Sequence, residues 1–507
     1  MKVTIMDTTL RDGEQTSGVS FTDDEKLSIA KLLLEELKVD RIEVASARVS
    51  EGEMDAVKKI IKWATSKNLL DRIEVLAFID GDISIEWIKN AGAKVMNILS
   101  KGSYRHVTEQ LRKTPEEHIK DIKSSIKSAL ENDLKVNLYL EDWSNGMRNS
   151  RDYVFQMLDA LKDEKIERFM LPDTLGILNP DETYDYCKMI IDKYPKLKFD
   201  FHAHNDYDLG TANVYSAIKA GITGIHTTVN GLGERAGNVP LSSVIGVIKD
   251  HLKCEMNIKE SKLSLVSKLV ESFSGIRIPP NKPLIGESVF TQTCGIHADG
   301  DQKNHLYFND LLPERFGRKR SYALGKTSGK ANIMQNLEEL GIDMDNESMR
   351  KVTARVIELG DKKESVTQED LPYIISDVLK SKNIDEKIEI ENFALSTANG
   401  LKPVATLKIK INNKEYEETA NGDGQYDAFV KALRKIYTKL KRSFPKLSDY
   451  SVSIPPGGKT DALVQTVITW DMGNGKEFRT RGLDSDQTVA AIKATLKMLN
   501  IIENNNI

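Results

Sequence analysis

Cysteine is scarce: Cys187, Cys254 and Cys294 are the three in 507 residues, far apart and without a CxxC pair. That argues against a disulfide framework or a thiolate zinc site, and fits a reducing cytoplasm. An excess of charge of one sign is also missing. The 72 Lys+Arg and 76 Asp+Glu leave a formal charge of −4, which gives no electrostatic case for nucleic acid or a membrane surface. No run of 18 apolar residues exists, so no segment is expected to span a bilayer. The opening residues MKVTIMDTTLRDG lack the charged and apolar regions of a secretory signal. There is no P-loop, and no GxGxxG follows a strand. What is present is ordinary globular usage, 40% apolar and 29% charged, in a chain long enough for about three domains.

Short β-rich runs alternate with amphipathic helices through the first half. Strands are predicted to begin at Val3, Arg41, Ile73, Val95, Lys135, Glu167, Lys198 and Gly224. Between them, Thr22-x-x-Glu25 and Ser50-x-x-Glu53 read as capping boxes. Thr114-Pro115 and Asn179-Pro180 each read as an N-cap followed by proline. Leu27, Ala30, Leu34 and Leu37 recur at helical spacing. Eight βα units predict a TIM (β/α)8 barrel over residues 1–265, with an open doubly wound sheet as the competing arrangement. Residues 266–385 read as a loop-rich and then helical linker. Residues 386–507 contain an internal repeat: Lys414-Glu415-Tyr416 returns as Lys476-Glu477-Phe478, and Gln425, Ala428 and Ala432 return as Gln487, Ala490 and Ala494. One copy is too small to bury a core, so two copies should pack as one α+β domain serving dimerisation and ligand sensing.

In such a barrel the catalytic groups stand at the C-terminal ends of the strands. Those ends carry Asp7 to Gln15, Tyr139 to Glu141, Asp173-Thr174, His202-Ala203-His204 and Asn230 to Asn238. His202 and His204 share one face of a strand about 7 Å apart, so both imidazoles can reach one divalent metal. Asp12 and Asn238 can complete a mixed nitrogen and oxygen set suited to Zn²⁺, Mn²⁺, Co²⁺ or Mg²⁺. Two open positions would then chelate an α-keto acid. Arg11 is placed to stabilise an oxyanion there, Glu141 to act as acid or base, and Tyr139 to line the pocket. Glu234-Arg235 reads as an ion pair shaping the last loop, whose glycines let it approach the metal. The run Arg318-Lys319-Arg320 is either a solvated face or a contact for a cosubstrate's phosphates.

The motifs DTTLRDGEQ (7–15), HAHND (202–206) and NGLGERAGN (230–238) resemble the α-isopropylmalate, homocitrate and citramalate synthase family. GDGQYDAF (422–429) and IPPGGKTDA (454–462) resemble that family's leucine- or isoleucine-sensing dimer domain. The resemblance implies a metal-assisted Claisen condensation of acetyl-CoA with an α-keto acid, followed by thioester hydrolysis, in a homodimer. It implies Asp12, His202, His204 and Asn238 as metal ligands, Arg11 on the keto group, Thr174 on the carboxylate and Glu141 in catalysis. His297 and Tyr307 would serve the partner's site. Either Glu141 or His297 would remove the acetyl methyl proton. The run Glu141-Asp142-Trp143-Ser144-Asn145-Gly146 departs from the Glu-Asp-Ala-x-Arg-like run of many isopropylmalate synthases.

Leu76, Leu99 and Tyr139 are expected to border the keto acid's side chain. None can pair with a second carboxylate, and their bulk favours pyruvate, giving (R)-citramalate, over 2-oxoisovalerate. The effector expected with that product is isoleucine rather than leucine. Its site should use the turns at Asp423 to Tyr426 and Ser485 to Thr488, with Asp427 and Gln487, and the apolar Leu447, Tyr450 and Ile454.

Overall fold

In the computed structural model, which describes residues 1–340, 342–361, 366–379, 387–453, 464–473 and 477–505, eight parallel strands close into a barrel in chain order. They are β1 (Thr4–Asp7), β2 (Arg41–Ser46), β3 (Ile73–Ala77), β4 (Val95–Lys101), β5 (Lys135–Glu141), β6 (Arg168–Asp173), β7 (Phe199–Ala203) and β8 (Gly224–Thr227). Each begins within one residue of the position read from the sequence. Pairing of β1 with β8, Met6 opposite His226 and Asp7 opposite Thr227, closes the sheet and excludes the open doubly wound alternative. β3 and β7 are buried along their whole length, as expected of strands packed on both faces.

The helix starts follow the capping chemistry. Thr22, Thr114 and Asn179 form complete boxes with Glu25, Glu117 and Glu182. The box read at Ser50 is only half formed. Ser50 accepts from the Glu53 backbone N–H, but the Glu53 carboxylate turns to Lys26 Nζ at 2.5 Å. Lys26 is fully buried and also pairs with Glu14 at 2.6 Å, so a charge that must be neutralised outcompetes a backbone donor. Helix Asp23–Lys31 continues through the wider turn Leu32–Leu37, and Ala30, Leu34 and Leu37 enter the core as their spacing predicts.

The chain forms two compact units, Met1–Thr291 with Phe308–Ser321, and Gln292–Tyr307 with Tyr322–Ile507. In the second unit, helices Lys330–Glu339, Asn346–Asp361 and Leu371–Leu379 pack around Ile333, Leu337, Val352 and Val356. The repeat appears as two copies of a three-stranded antiparallel sheet followed by a helix. The strands are Ile388–Ser396, Val404–Ile411 and Lys414–Asn421 before helix Gln425–Lys439, then Lys446–Ser453, Val464–Asp471 and Glu477–Asp484 before helix Gln487–Asn505. One apolar cluster joins Leu407, Phe429 and Leu433 of the first copy to Ile468, Trp470 and Met498 of the second. Among the described residues no helix is long and apolar enough to cross a membrane.

Candidate active site

The C-terminal rim of the barrel brings together four of the residues singled out from the sequence. Asp12 follows β1, His202 lies in β7, and His204 bridges backbone to backbone with Asn238 beyond β8. Asp12, His202 and His204 each offer a ligand atom, all within 4.8 Å of one another, and all three side chains are buried. His202 Nε2 lies 3.0 Å from Asp12 Oδ2, and the Asn238 amide nitrogen lies 3.2 Å from that oxygen and 3.1 Å from that ring nitrogen. Turning the amide over would present its carbonyl oxygen in the same direction. Asn238 Oδ1 and His204 Nδ1 are buried without hydrogen-bond partners. Orphaned polar atoms cost about 1–3 kcal/mol each unless a ligand engages them. Burial pushes the His204 imidazole down to about 4, so the ring is neutral at pH 7. Burial opposes ionisation of Asp12, but the Arg11 charge and the His202 hydrogen bond outweigh it and hold the carboxyl well below its ordinary range. Two imidazoles, a carboxylate and an amide fit a divalent cation. Gly233, at φ 149°, makes the approach of the last loop possible, because a Cβ there would stand 2.0 Å from Asn238 Oδ1.

Arg11 stands beside this cluster. It contacts Asp12 at 3.1 Å and Glu43 at 2.6 Å, and its Nη2 donates to the Tyr139 hydroxyl at 3.3 Å. Burial disfavours its charge, but the two carboxylates more than restore it. Glu43 did not emerge from the sequence reading. It is buried in the middle of β2 and also accepts from Thr8 and Asn97, each at 2.8 Å. His226 and Asp200 were missed likewise. His226 Nδ1 lies 3.2 Å from His202 Nδ1, and its Nε2 lies 3.2 Å from Asp200 Oδ2. A signal was available: ionisable residues inside short barrel strands, such as Arg41-x-Glu43 and Asp200-x-His202, are rarely buried unless paired.

Leu76 and Tyr139 join Met6 and Met170 in a small apolar cluster separate from the main core, with Leu99 packed against it. Glu141 ends β5 and pairs with Lys101 at the end of β4. Thr174 follows β6, and its hydroxyl accepts from the Asp142 N–H at 2.9 Å, which leaves its own proton to donate. The Glu234–Arg235 ion pair forms, at 3.5 Å, and Arg235 also grips Asp206 through two nitrogens at 2.7 and 3.0 Å. A guanidinium fork fits both oxygens of a carboxylate facing it across two loops, so Asp206 is the tighter partner. Arg318 has a structural contact, donating to the Gly286 and Glu287 carbonyls at 2.6 and 2.8 Å; Lys319 is exposed.

In the second unit His297 and Tyr307 stack on each other, ring centroids 4.2 Å apart. In the tail, Tyr426 meets Tyr450 at 5.5 Å and its hydroxyl bonds Thr495 at 2.8 Å. Asp423 pairs with Lys402, and Asp427 accepts from the Asp423 N–H at the start of its helix. Leu447 and Gln487 are exposed. Ile454 and the run 454–462 lie outside the described residues.

The HMGL-like family model matches residues 2–270, the homocitrate synthase post-HMGL domain-like model residues 284–364, and the LeuA allosteric (dimerisation) domain model residues 365–503. Fold and site together define an HMGL-like barrel enzyme carrying an allosteric dimerisation domain of the LeuA type. A putative (R)-citramalate synthase of Archaeoglobus fulgidus is 35% identical over 99% of this chain and 100% of its own. The (R)-citramalate synthase of Methanocaldococcus jannaschii is 33% identical over 99% and 100%. The 2-isopropylmalate synthase of the same organism is 35% identical over 99% and 95%. The chain belongs to the family of (R)-citramalate and 2-isopropylmalate synthases.

Proposed function

We propose that this enzyme condenses acetyl-CoA with pyruvate to give (R)-citramalate and CoA. One observation carries the choice of acid. Met6, Leu76, Tyr139 and Met170, with Leu99 packed against them, form an apolar wall that meets Arg11 at the Tyr139 hydroxyl, and none of the five is cationic. Such a wall suits a methyl group and offers nothing to the second carboxylate of 2-oxoglutarate. The identity shared with a 2-isopropylmalate synthase supports a second reading, in which 2-oxoisovalerate is the acid.

Asp12, His202, His204 and Asn238 would hold a divalent metal, which when bound would supply Lewis-acid polarisation of the keto group. Arg11, fixed by Asp12 and Glu43, faces the charge that develops on the keto oxygen. Thr174 donates its hydroxyl proton to the acid's carboxylate. Glu141 or His297 removes a proton from the acetyl methyl group, and the freed electron pair forms the new C–C bond at the keto carbon. The keto oxygen takes up a proton, and water cleaves the thioester to release CoA as a thiol. His297 and Tyr307 act at the partner chain's site in a homodimer. The tail binds isoleucine near the Tyr426–Tyr450 pair.

A free-thiol assay with the three acids tests the reading. Overpacking costs about 1–3 kcal/mol, so pyruvate should exceed 2-oxoisovalerate by roughly tenfold to a hundredfold in kcat/KM. Leu99→Ala should narrow that gap, and isoleucine should inhibit more strongly than leucine. A preference for 2-oxoisovalerate would make the enzyme an isopropylmalate synthase.

A further inference from the structure

The ladder between β5 and β6 ends at Tyr139 opposite Met170. Past that point the two strand ends are tied by the Asp142 N–H, which donates to Thr174 Oγ at 2.9 Å. We propose that the Asp142 carboxylate is a positioning residue for the substrate's carboxylate, acting through Thr174. It pins the bend that aims this N–H, and the N–H sets the direction in which the Thr174 hydroxyl donates. The proposal rests on the reading of Thr174 as the contact for the 2-oxo acid's carboxylate.

The bend is one that a residue with a Cβ adopts only with support. Asp142 has φ 64° and ψ 26°, in the left-handed region, which Asp and Asn tolerate because a short polar side chain can bond locally. The residue is 2% exposed, and among the described residues no lysine or arginine lies within ion-pair distance of it. A carboxylate buried in that way must be met by hydrogen bonds. Ser103 Oγ donates to Oδ2 at 2.7 Å, and Asn145 Nδ2 donates to Oδ1 at 2.7 Å. His106 Nε2 stands 3.4 Å from Oδ2. One oxygen is therefore held by the helix that follows, Trp143–Asn149, and the other by the loop after β4. The loops are pressed together around this point. A Cβ on Gly102 would stand 2.4 Å from the Leu140 carbonyl oxygen, and one on Gly146 would stand 2.1 Å from the Gly102 carbonyl oxygen. The loops after β4, β5 and β6 thus meet through one side chain and its own N–H.

Thr174 receives the result. It is half-buried, and having accepted from the Asp142 N–H it has no acceptor for its own proton among the described residues. One lone pair is fixed on the N–H, so the proton is turned away from Asp142. A carboxylate is the matching acceptor, because hydrogen bonds to an ionised group are roughly twice as strong as neutral ones. Were the bend to relax, the N–H would swing off and the hydroxyl would rotate freely. The loss would fall on binding of the acid and leave acetyl-CoA unaffected. Pyruvate, 2-oxoisovalerate and 2-oxoglutarate all carry this carboxylate, so the role is the same for each.

The test is steady-state kinetics of the full-length enzyme in the free-thiol assay, with the acid that wild type prefers. Thr174→Val removes the direct contact and should lower kcat/KM for the acid roughly 10- to 100-fold, mostly through KM. Asp142→Ala should lower it roughly tenfold, again through KM for the acid, with KM for acetyl-CoA unchanged. Asp142→Gly, which has no Cβ to strain the bend, should show the same loss and serves if the alanine variant does not fold. Asp142→Asn, whose amide can accept from Asn145 and donate to Ser103, should recover most of the activity. In the Thr174→Val background Asp142→Ala should have no further effect. An equal loss in both backgrounds, or an equal rise in KM for acetyl-CoA, would overturn action through Thr174. An unchanged KM for the acid in Thr174→Val would show that Thr174 does not hold the carboxylate, and the role of Asp142 falls with it. A wild type that releases no thiol with any of the three acids would overturn the condensation itself, before any variant is compared.

Discussion

Buried imidazoles in this chain owe their state to burial as much as to partners, and His118 shows what that does to stability. It is 1% exposed, on helix Pro115–Glu131, and its Nε2 accepts from the Lys101 N–H at 3.1 Å. Burial pushes it from 6.5 down to about 4. Between those values the unfolded chain binds a proton that the folded chain refuses. Stability from this residue is therefore complete above pH 6.5 and is lost as the pH falls toward 4. At about 1.4 kcal/mol per unit, the loss between pH 7 and pH 5 is about 2 kcal/mol. Urea denaturation at both values should show that drop in wild type and a drop smaller by about that amount in His118→Gln. At this same scale the site was partly legible. Asp12, His202 and His204 stand out because ionisable residues at strand ends of a barrel have few structural uses. Glu43, Asp200 and His226 were passed over because they sit within strands, where their partners are far away in sequence.

At the scale of elements, local chemistry was readable wherever it stayed local. Complete boxes at Thr22, Thr114 and Asn179 need only residues three positions apart, so spacing alone identifies them. Ser50 failed because Glu53 had a stronger claim from another helix. Lys26 joins the loop holding Arg11 to helices Asp23–Lys31 and Glu51–Ser66, through Glu14, Glu53 and the Leu10 carbonyl. Lys26→Met should leave two carboxylates without a cation and cost about 3–5 kcal/mol in chemical denaturation. Adding Glu53→Gln should recover part of the loss, since the remaining negative charges then number one fewer.

For the whole molecule, the repeat in the tail behaves as one folding unit if its core is truly shared. Leu433 belongs to the first copy and is fully buried in a cluster that includes Trp470 and Met498 of the second. Leu433→Ala should cost about 2–5 kcal/mol through the cavity left behind. Hydrogen exchange should then quicken in strands Val404–Ile411 and Val464–Asp471 alike. Faster exchange confined to the first copy would show that each copy stands alone.

Sequence by itself determined the eight strands, their order, most helix starts and the duplicated tail, and it picked out Asp12, His202, His204 and Asn238, which the fold gathers at the rim. The strands, helix starts and motifs each depend on periodicity, capping or spacing within a short stretch of chain. Closure of the barrel was decided only in three dimensions, because the pairing of β1 with β8 joins residues more than two hundred positions apart. The partners of Lys26, Arg235 and His202 were decided there too. A buried charge or imidazole takes whichever complementary group folding brings within about 3 Å, and no local pattern records that choice.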